Sequence, residues 1–271
     1  MKRPSAVSLK GAFATAVAGC LLAFLTIGIR AMAEDDLARK RPHIVFLVSE
    51  DPDNYEAHRT VPAFAAHLKK VAGYDVTVLS GSGPRKGYQF HHPEMIDRAD
   101  VLVIFCRRLA LPYDQMDRIR THLAKGKPLV GIRTANHAFS VREEVLEGYT
   151  DWWDFVPDVL GCRNNGYGPV EPGTDVTVVR EARRHPVLKN LDVEAWHSAG
   201  NLYLVSPLHE SAEVLLTGRV GDQQEPIAWT RVTDQQSRVF YTSLGYPEDF
   251  EMEQFRQLLI NAIDWALDRH G

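Results

Sequence analysis

Pro128–Phe139, PLVGIRTANHAF, is the stretch whose reading decides the fold. Pro-Leu-Val-Gly-Ile is a short apolar run that suits a fully buried strand. It ends in Arg133, Thr134, Asn136 and His137, all able to hydrogen-bond. A change from apolar to polar at the C-terminal end of a strand is where open α/β sheets place their ligands. Gly131 leaves room for a close neighbour or a sharp bend. The competing reading is an ordinary strand followed by a solvated loop.

Upstream, the chain alternates strand and helix signals. His43–Val48, HIVFLV, is a near-continuous apolar run and the first expected strand. Ser49–Asn54 is a loop of turn formers. Val61, Phe64, Leu68 and Val71 recur at helical spacing, and Gly73 stops that helix. Asp75–Ser80 and Asp100–Phe105 read as further strands, and Met116, Ile119 and Leu123 mark a second helix ending at Gly126. Buried-type strands alternating with helices imply a parallel sheet with right-handed crossovers. Neither GxGxxG nor a P-loop follows any strand, so nucleotide-cofactor chemistry lacks its fingerprint.

Downstream the pattern changes. Trp152, Trp153 and Phe155 fall in an amphipathic stretch expected to bury them, and Gly161–Gly173 reads as a long loop. Asp175–Val179, Leu202–Val205, Val214–Thr217, Ile227–Trp229 and Arg238–Thr242 read as short strands. Met252, Phe255, Leu259, Ala262, Ile263 and Ala266 mark a final helix that should pack on the sheet.

Composition bounds the function. The 271 residues are 45% hydrophobic and 24% charged, ordinary for a globular protein with a sizeable core. The formal net charge is −4, and no basic cluster supplies the footprint that nucleic-acid binding needs. Lys2, Arg3 and Lys10 precede an uncharged, mainly apolar run, Gly11–Ile29, and Ala31-Met32-Ala33 is a small-x-small cleavage site. Residues 1–33 therefore read as an export signal, giving a periplasmic or extracellular protein with no stable membrane span. A retained anchor, or lipidation at Cys20, is the alternative. Residues 34–42 read as a flexible tail and 43–271 as one domain. Cys106 and Cys162 remain; one disulfide is conceivable after export, and two lone buried thiols are the simpler reading.

Six segments carry a family resemblance: HPVLKNL (185–191), AGNLYLV (199–205), EVLLTG (213–218), PIAWTR (226–231), RVFYTSLGY (238–246) and LLINAIDWAL (258–267). With the Pro128 strand, they resemble the ThuA-like (trehalose-utilisation) family. The resemblance implies an α/β, flavodoxin-like (class I glutamine amidotransferase-like) three-layer sandwich with a mainly parallel central sheet. It also implies carbohydrate chemistry on a glucoside or its 3-keto form. Amidotransferases of this fold place a Cys after Gly-Ile at the strand-to-helix elbow and use a late His. Here Gly131-Ile132 is followed by Arg133, and Tyr246-Pro247-Glu248 stands where His-Pro-Glu would be. Typical family members carry His where this chain has Arg133. Glutamine hydrolysis is therefore not expected.

The candidate catalytic residues are Glu50, His58, Arg133, His137, His197 and Tyr246. A ketone beside a ring C–H acidifies that proton, so cleavage needs a base, an acid and a cation for the enolate. Glu50, His58 or His137 would be the base, Arg133 the cation, and Tyr246 or His197 the acid. Asp51, Arg107, Asn136, Asn201 and Glu248 are candidate contacts to the sugar. His58, His137, His197 and Glu50 are too scattered to specify a metal, though a divalent ion suits the chemistry. A non-catalytic sugar-binding module on the same fold is the alternative.

Overall fold

The apolar runs become the buried centre of one nine-stranded sheet. The computed structural model describes residues 41–269; the expected export signal lies outside the described residues, as does the tail before Arg41. The strands are β1 (His43–Val48), β2 (Asp75–Leu79), β3 (Val101–Phe105), β4 (Leu129–Ile132), β5 (Thr174–Val178), β6 (Ala195–Ser198), β7 (Glu213–Val220), β8 (Gln223–Val232) and β9 (Arg238–Thr242). Their order is β6-β5-β7-β8-β9-β4-β3-β1-β2. From β9 to β2 every neighbouring pair is parallel, and from β9 to β6 every pair is antiparallel. The parallel half has the flavodoxin order, and β4 lies near the middle of the sheet.

The layers follow from a two-residue side-chain period. Ile44, Phe46 and Val48 of β1 join a core with helices α1 (Ala57–Ala72) and α3 (Glu253–Ala266). Val45 and Leu47 join the opposite core, with α2 (Tyr113–Ala124) and the helical turn Phe155–Leu160. Strands buried on both faces must read as unbroken apolar runs, as HIVFLV and VLVIF do. Helix α3 packs back on the sheet through Phe255, Leu258, Leu259, Ala262 and Ile263.

Three expectations are corrected. Leu202–Val205 is not a strand of the sheet: Leu202 and Leu204 pair their backbones with the Gly-rich loop at Asn165–Gly168 instead, and the strand lies earlier, at β6. Val71, although in register with the helix stripe, is 53% exposed, because the last turn of α1 meets the core through Leu68 and Ala72 instead. Trp153 is 54% exposed, its indole N–H donating to Asp151 Oδ2 at 2.7 Å; Trp152 alone packs on the core.

Candidate functional site

Parallel pairing brings the ends of β1, β3, β4 and β9 to one edge, so Glu50, Arg107, Arg133 and Tyr246 follow adjacent strands. Arg133 opens the turn after β4 with φ +44°, a left-handed conformation that costs an ordinary residue about 1–2 kcal/mol. Gly131, two residues earlier, has the close neighbours its small size allows: a Cβ there would lie 3.0 Å from Tyr241 and 3.2 Å from Ala135.

The Arg133 side chain is 1% exposed. Its Nη1 donates to the Ser243 carbonyl at 2.8 Å, and its Nη2 to Asn201 Oδ1 at 2.6 Å. Three tyrosine rings surround the guanidinium, with centroids at 4.0 Å (Tyr55), 4.9 Å (Tyr203) and 5.3 Å (Tyr246). No carboxylate pairs with it among the described residues. Ring faces and charge-assisted hydrogen bonds thus replace the counter-ion, and the Nε–H has no partner. Gly200 permits this closure, since a Cβ there would meet Arg133 Nη1 at 2.8 Å.

Beside this cage, Asn54 is wholly buried. Its Nδ2 donates to the carbonyls of Ser49 (3.0 Å) and Phe105 (2.9 Å), and its Oδ1 accepts from the Thr134 hydroxyl at 2.6 Å. One amide therefore ties the ends of β1, β3 and β4 together. Asp51 is held by both Arg85 and Arg107, with Arg85 Nη2 at 2.8 Å and Arg107 at 4.0 Å. Burial opposes its charge, but the arginine hydrogen bonds prevail and hold the carboxyl below its usual range.

His137 is buried, with Nδ1 3.0 Å from Asn136 Oδ1. The amide orientation of Asn136 is set because its Nδ2 donates to the Arg163 carbonyl at 3.1 Å. An amide oxygen only accepts, so Nδ1 carries the proton and Nε2 keeps its lone pair. Burial, then Arg108, Arg107 and Arg133, push the His137 pKa well below the usual value.

The candidate residues therefore separate. Arg133, Asn201 and Tyr246 meet in the cage; Asn136 and His137 pair; Asp51 and Arg107 pair. Glu50 ends β1 but is exposed, and His58 is exposed on the first turn of α1. Glu248 is exposed beyond Tyr246. His197 lies on β6, at the far edge of the sheet, paired with Asp175 at 2.8 Å and exposed. Among the described residues, no group of three or more His, Cys, Asp or Glu side chains is placed to hold a metal. Sequence reasoning missed Asn54, Tyr55, Tyr203 and Ser243.

The ThuA family model, described as trehalose utilisation, matches residues 45–266. The chain belongs to the ThuA family. Two solved ThuA-like proteins share the fold. One, from Bacteroides uniformis, is 19% identical with TM-score 0.61 over 84% of this chain and 92% of that one. The other, from Parabacteroides merdae, is 15% identical with TM-score 0.60 over 84% and 90%. A β-galactosidase from Rahnella sp. R3 contains a similar fold, at 12% identity and TM-score 0.54, over 84% of this chain and 31% of that one. No curated protein matches the chain. Membership gives a glutamine amidotransferase-like fold and links the chain to carbohydrate-related roles. On that fold the elbow holds Arg133 rather than a thiol. Cys106 and Cys162 are unpaired and buried elsewhere, and burial raises both thiol pKa values, that of Cys162 to about 12.

The buried histidines set an expectation for acid stability. His122 donates from Nε2 to the Pro128 carbonyl at 2.9 Å, leaves Nδ1 unpartnered, and has its pKa lowered to about 4, chiefly by burial. His137 is lowered in the same direction. Above pH ~6.5 both folded and unfolded histidines are neutral, and stability is complete. As pH falls below that value the unfolded chain gains protons the folded chain refuses. Stability should then fall by up to about 1.4 kcal/mol per pH unit for each histidine, down to the folded pKa values. Urea midpoints between pH 7.5 and 4.5 test this, and His122→Gln should remove about half the slope. An unchanged slope in that variant would contradict the assignment.

Proposed function

We propose that this chain is an exported, carbohydrate-binding ThuA protein whose elbow supplies a fixed cation and an aromatic wall instead of a nucleophile. The observation that carries this reading is Arg133, which fills the elbow, is almost fully buried and has both terminal nitrogens bonded. A guanidinium offers N–H donors and a delocalised positive charge but no nucleophilic atom. The partly exposed rings of Tyr55 and Tyr246 lie over it, and aromatic faces with adjacent hydrogen-bonding groups suit sugars. The basic, apolar and small-residue pattern of residues 1–33 supports export.

A second reading keeps enzymatic cleavage of a glucoside or 3-keto-glucoside. One observation favours it: His137 lies beside the elbow with its Nε2 lone pair free, the geometry a proton acceptor needs. A divalent ion would serve the enolate in that case.

Incubation with glucosides, their 3-keto forms and glutamine, with and without divalent metals, separates the readings. The expected result is saturable sugar binding, no product and no ammonia. Turnover abolished by His137→Gln in a variant that still binds sugar would replace the first reading with the second.

A further inference from the structure

Next to the elbow, on the α2 face of the sheet, a cavity of about 360 Å³ is lined by Arg108, Arg142, Arg163, Asn164, Asn165 and Trp153, among others. No carboxylate lines it. Glu143 and Glu144 follow Arg142 in sequence but do not contribute to its wall. In a chain of net charge −4, three arginines around one hollow form a local concentration of positive charge.

These arginines also lack a carboxylate partner among the described residues. Arg108 makes one side-chain hydrogen bond, from Nη1 to the Ser140 carbonyl at 3.1 Å. Arg108 follows β3 with φ +54°, so the chain accepts a strained backbone where this side chain leaves the sheet. Burial chiefly, and then the neighbouring Arg142 and Arg107, lower the Arg108 pKa to about 10. Arg142 and Arg163 are exposed at the mouth, as is Trp153, whose indole is oriented by its bond to Asp151. The cavity also joins the elbow: the Arg163 carbonyl accepts from Asn136, and Asn164 Nδ2 donates to the Asn136 carbonyl at 3.2 Å.

Resting on the carbohydrate reading above, we infer that this cavity binds the oxyanion of an acidic saccharide, with a sugar ring against Trp153. The guanidinium fork matches the geometry of a carboxylate or a phosphate, and an exposed indole face gives a ring a stacking surface. Asn164 and Asn165 offer neutral polar groups for hydroxyls at the rim. A neutral saccharide would leave the repulsion between Arg108 and Arg142 uncompensated, with Arg163 at the same hollow. An oxyanion relieves that repulsion, so preference for acidic sugars is the direct electrostatic consequence.

Titration calorimetry on the whole chain tests this with glucose, glucuronate, glucose 6-phosphate and inorganic phosphate. One or both acidic sugars should bind at least about tenfold more tightly than glucose, with the better one identifying carboxylate or phosphate as the natural oxyanion. Arg142→Ala, Arg163→Ala and Trp153→Ala alter exposed side chains and should each weaken that binding about fivefold or more. Added salt should weaken the acidic sugars and spare glucose. Glucose bound as tightly as its acidic forms overturns the oxyanion site and leaves the carbohydrate reading standing. Inorganic phosphate bound as tightly as either acidic sugar, and unaffected by Trp153→Ala, overturns the saccharide. Binding of no probe overturns both.

Discussion

Replacing Asn54 by leucine is expected to lower stability by about 4 kcal/mol, because three buried polar groups lose their partner at once. Leucine keeps the branching of asparagine, but its two methyl groups are larger than the amide, so overpacking at this wholly buried site adds to the loss of the hydrogen bonds. The carbonyls of Ser49 and Phe105 and the hydroxyl of Thr134 would all face an apolar side chain. At about 2–4 °C per kcal/mol for a domain of this size, the melting temperature should fall by roughly 10 °C. Asn54→Asp should be similarly damaging, since a carboxylate presents oxygen to two carbonyl oxygens. A loss below about 1 kcal/mol in either variant, measured by urea unfolding, would mean the ends of β1, β3 and β4 are held by other contacts.

Arg133→Ala should cost about 3 kcal/mol, through a cavity among three tyrosines and unpaired oxygens on Asn201 and Ser243. The sharper expectation is an inverted order. Arg133→Gly should be more stable than Arg133→Ala by about 1 kcal/mol, because φ +44° is open to glycine and strained for alanine. In helices and strands glycine is ordinarily the worse of the two. Arg133→Lys should also fail to restore stability, since one ammonium cannot span both oxygens while stacking on the rings. Sugar affinity should fall with each substitution as the tyrosine wall loosens. Equal stability of the alanine and glycine variants would remove the strain argument, and a stable lysine variant would remove the fork.

Much of this protein is legible in its sequence alone. Apolar runs located β1, β3 and β4, because a strand buried on both faces leaves a continuous signal. Stripes at helical spacing located α1, α2 and α3. The change from apolar to polar at Ile132-Arg133 marked the elbow correctly. The segments around 185–267 carried the family resemblance, and the match over residues 45–266 agrees with it.

Two kinds of feature were not legible. Leu202–Val205 carries a strand pattern, yet its backbone partners come from a Gly-rich loop, and local pattern does not name partners. His197 and His58 resemble site residues in sequence, but strand order sends one to the sheet edge and helix geometry exposes the other.

The sequence by itself determined the α/β class, the position of the elbow and the absence of a thiol there. Those properties depend on neighbouring residues and on periodicity, which one dimension records. Only the tertiary structure decided that Arg133 is caged, that Asn54 ties three strands and that three arginines share one cavity. Asn54 and Thr134 are 80 residues apart, and Arg133 and Ser243 are 110 apart. Contacts of that range arise when parallel strands bring distant chain segments to a common edge. Composition and spacing along the chain carry no trace of which ones will meet.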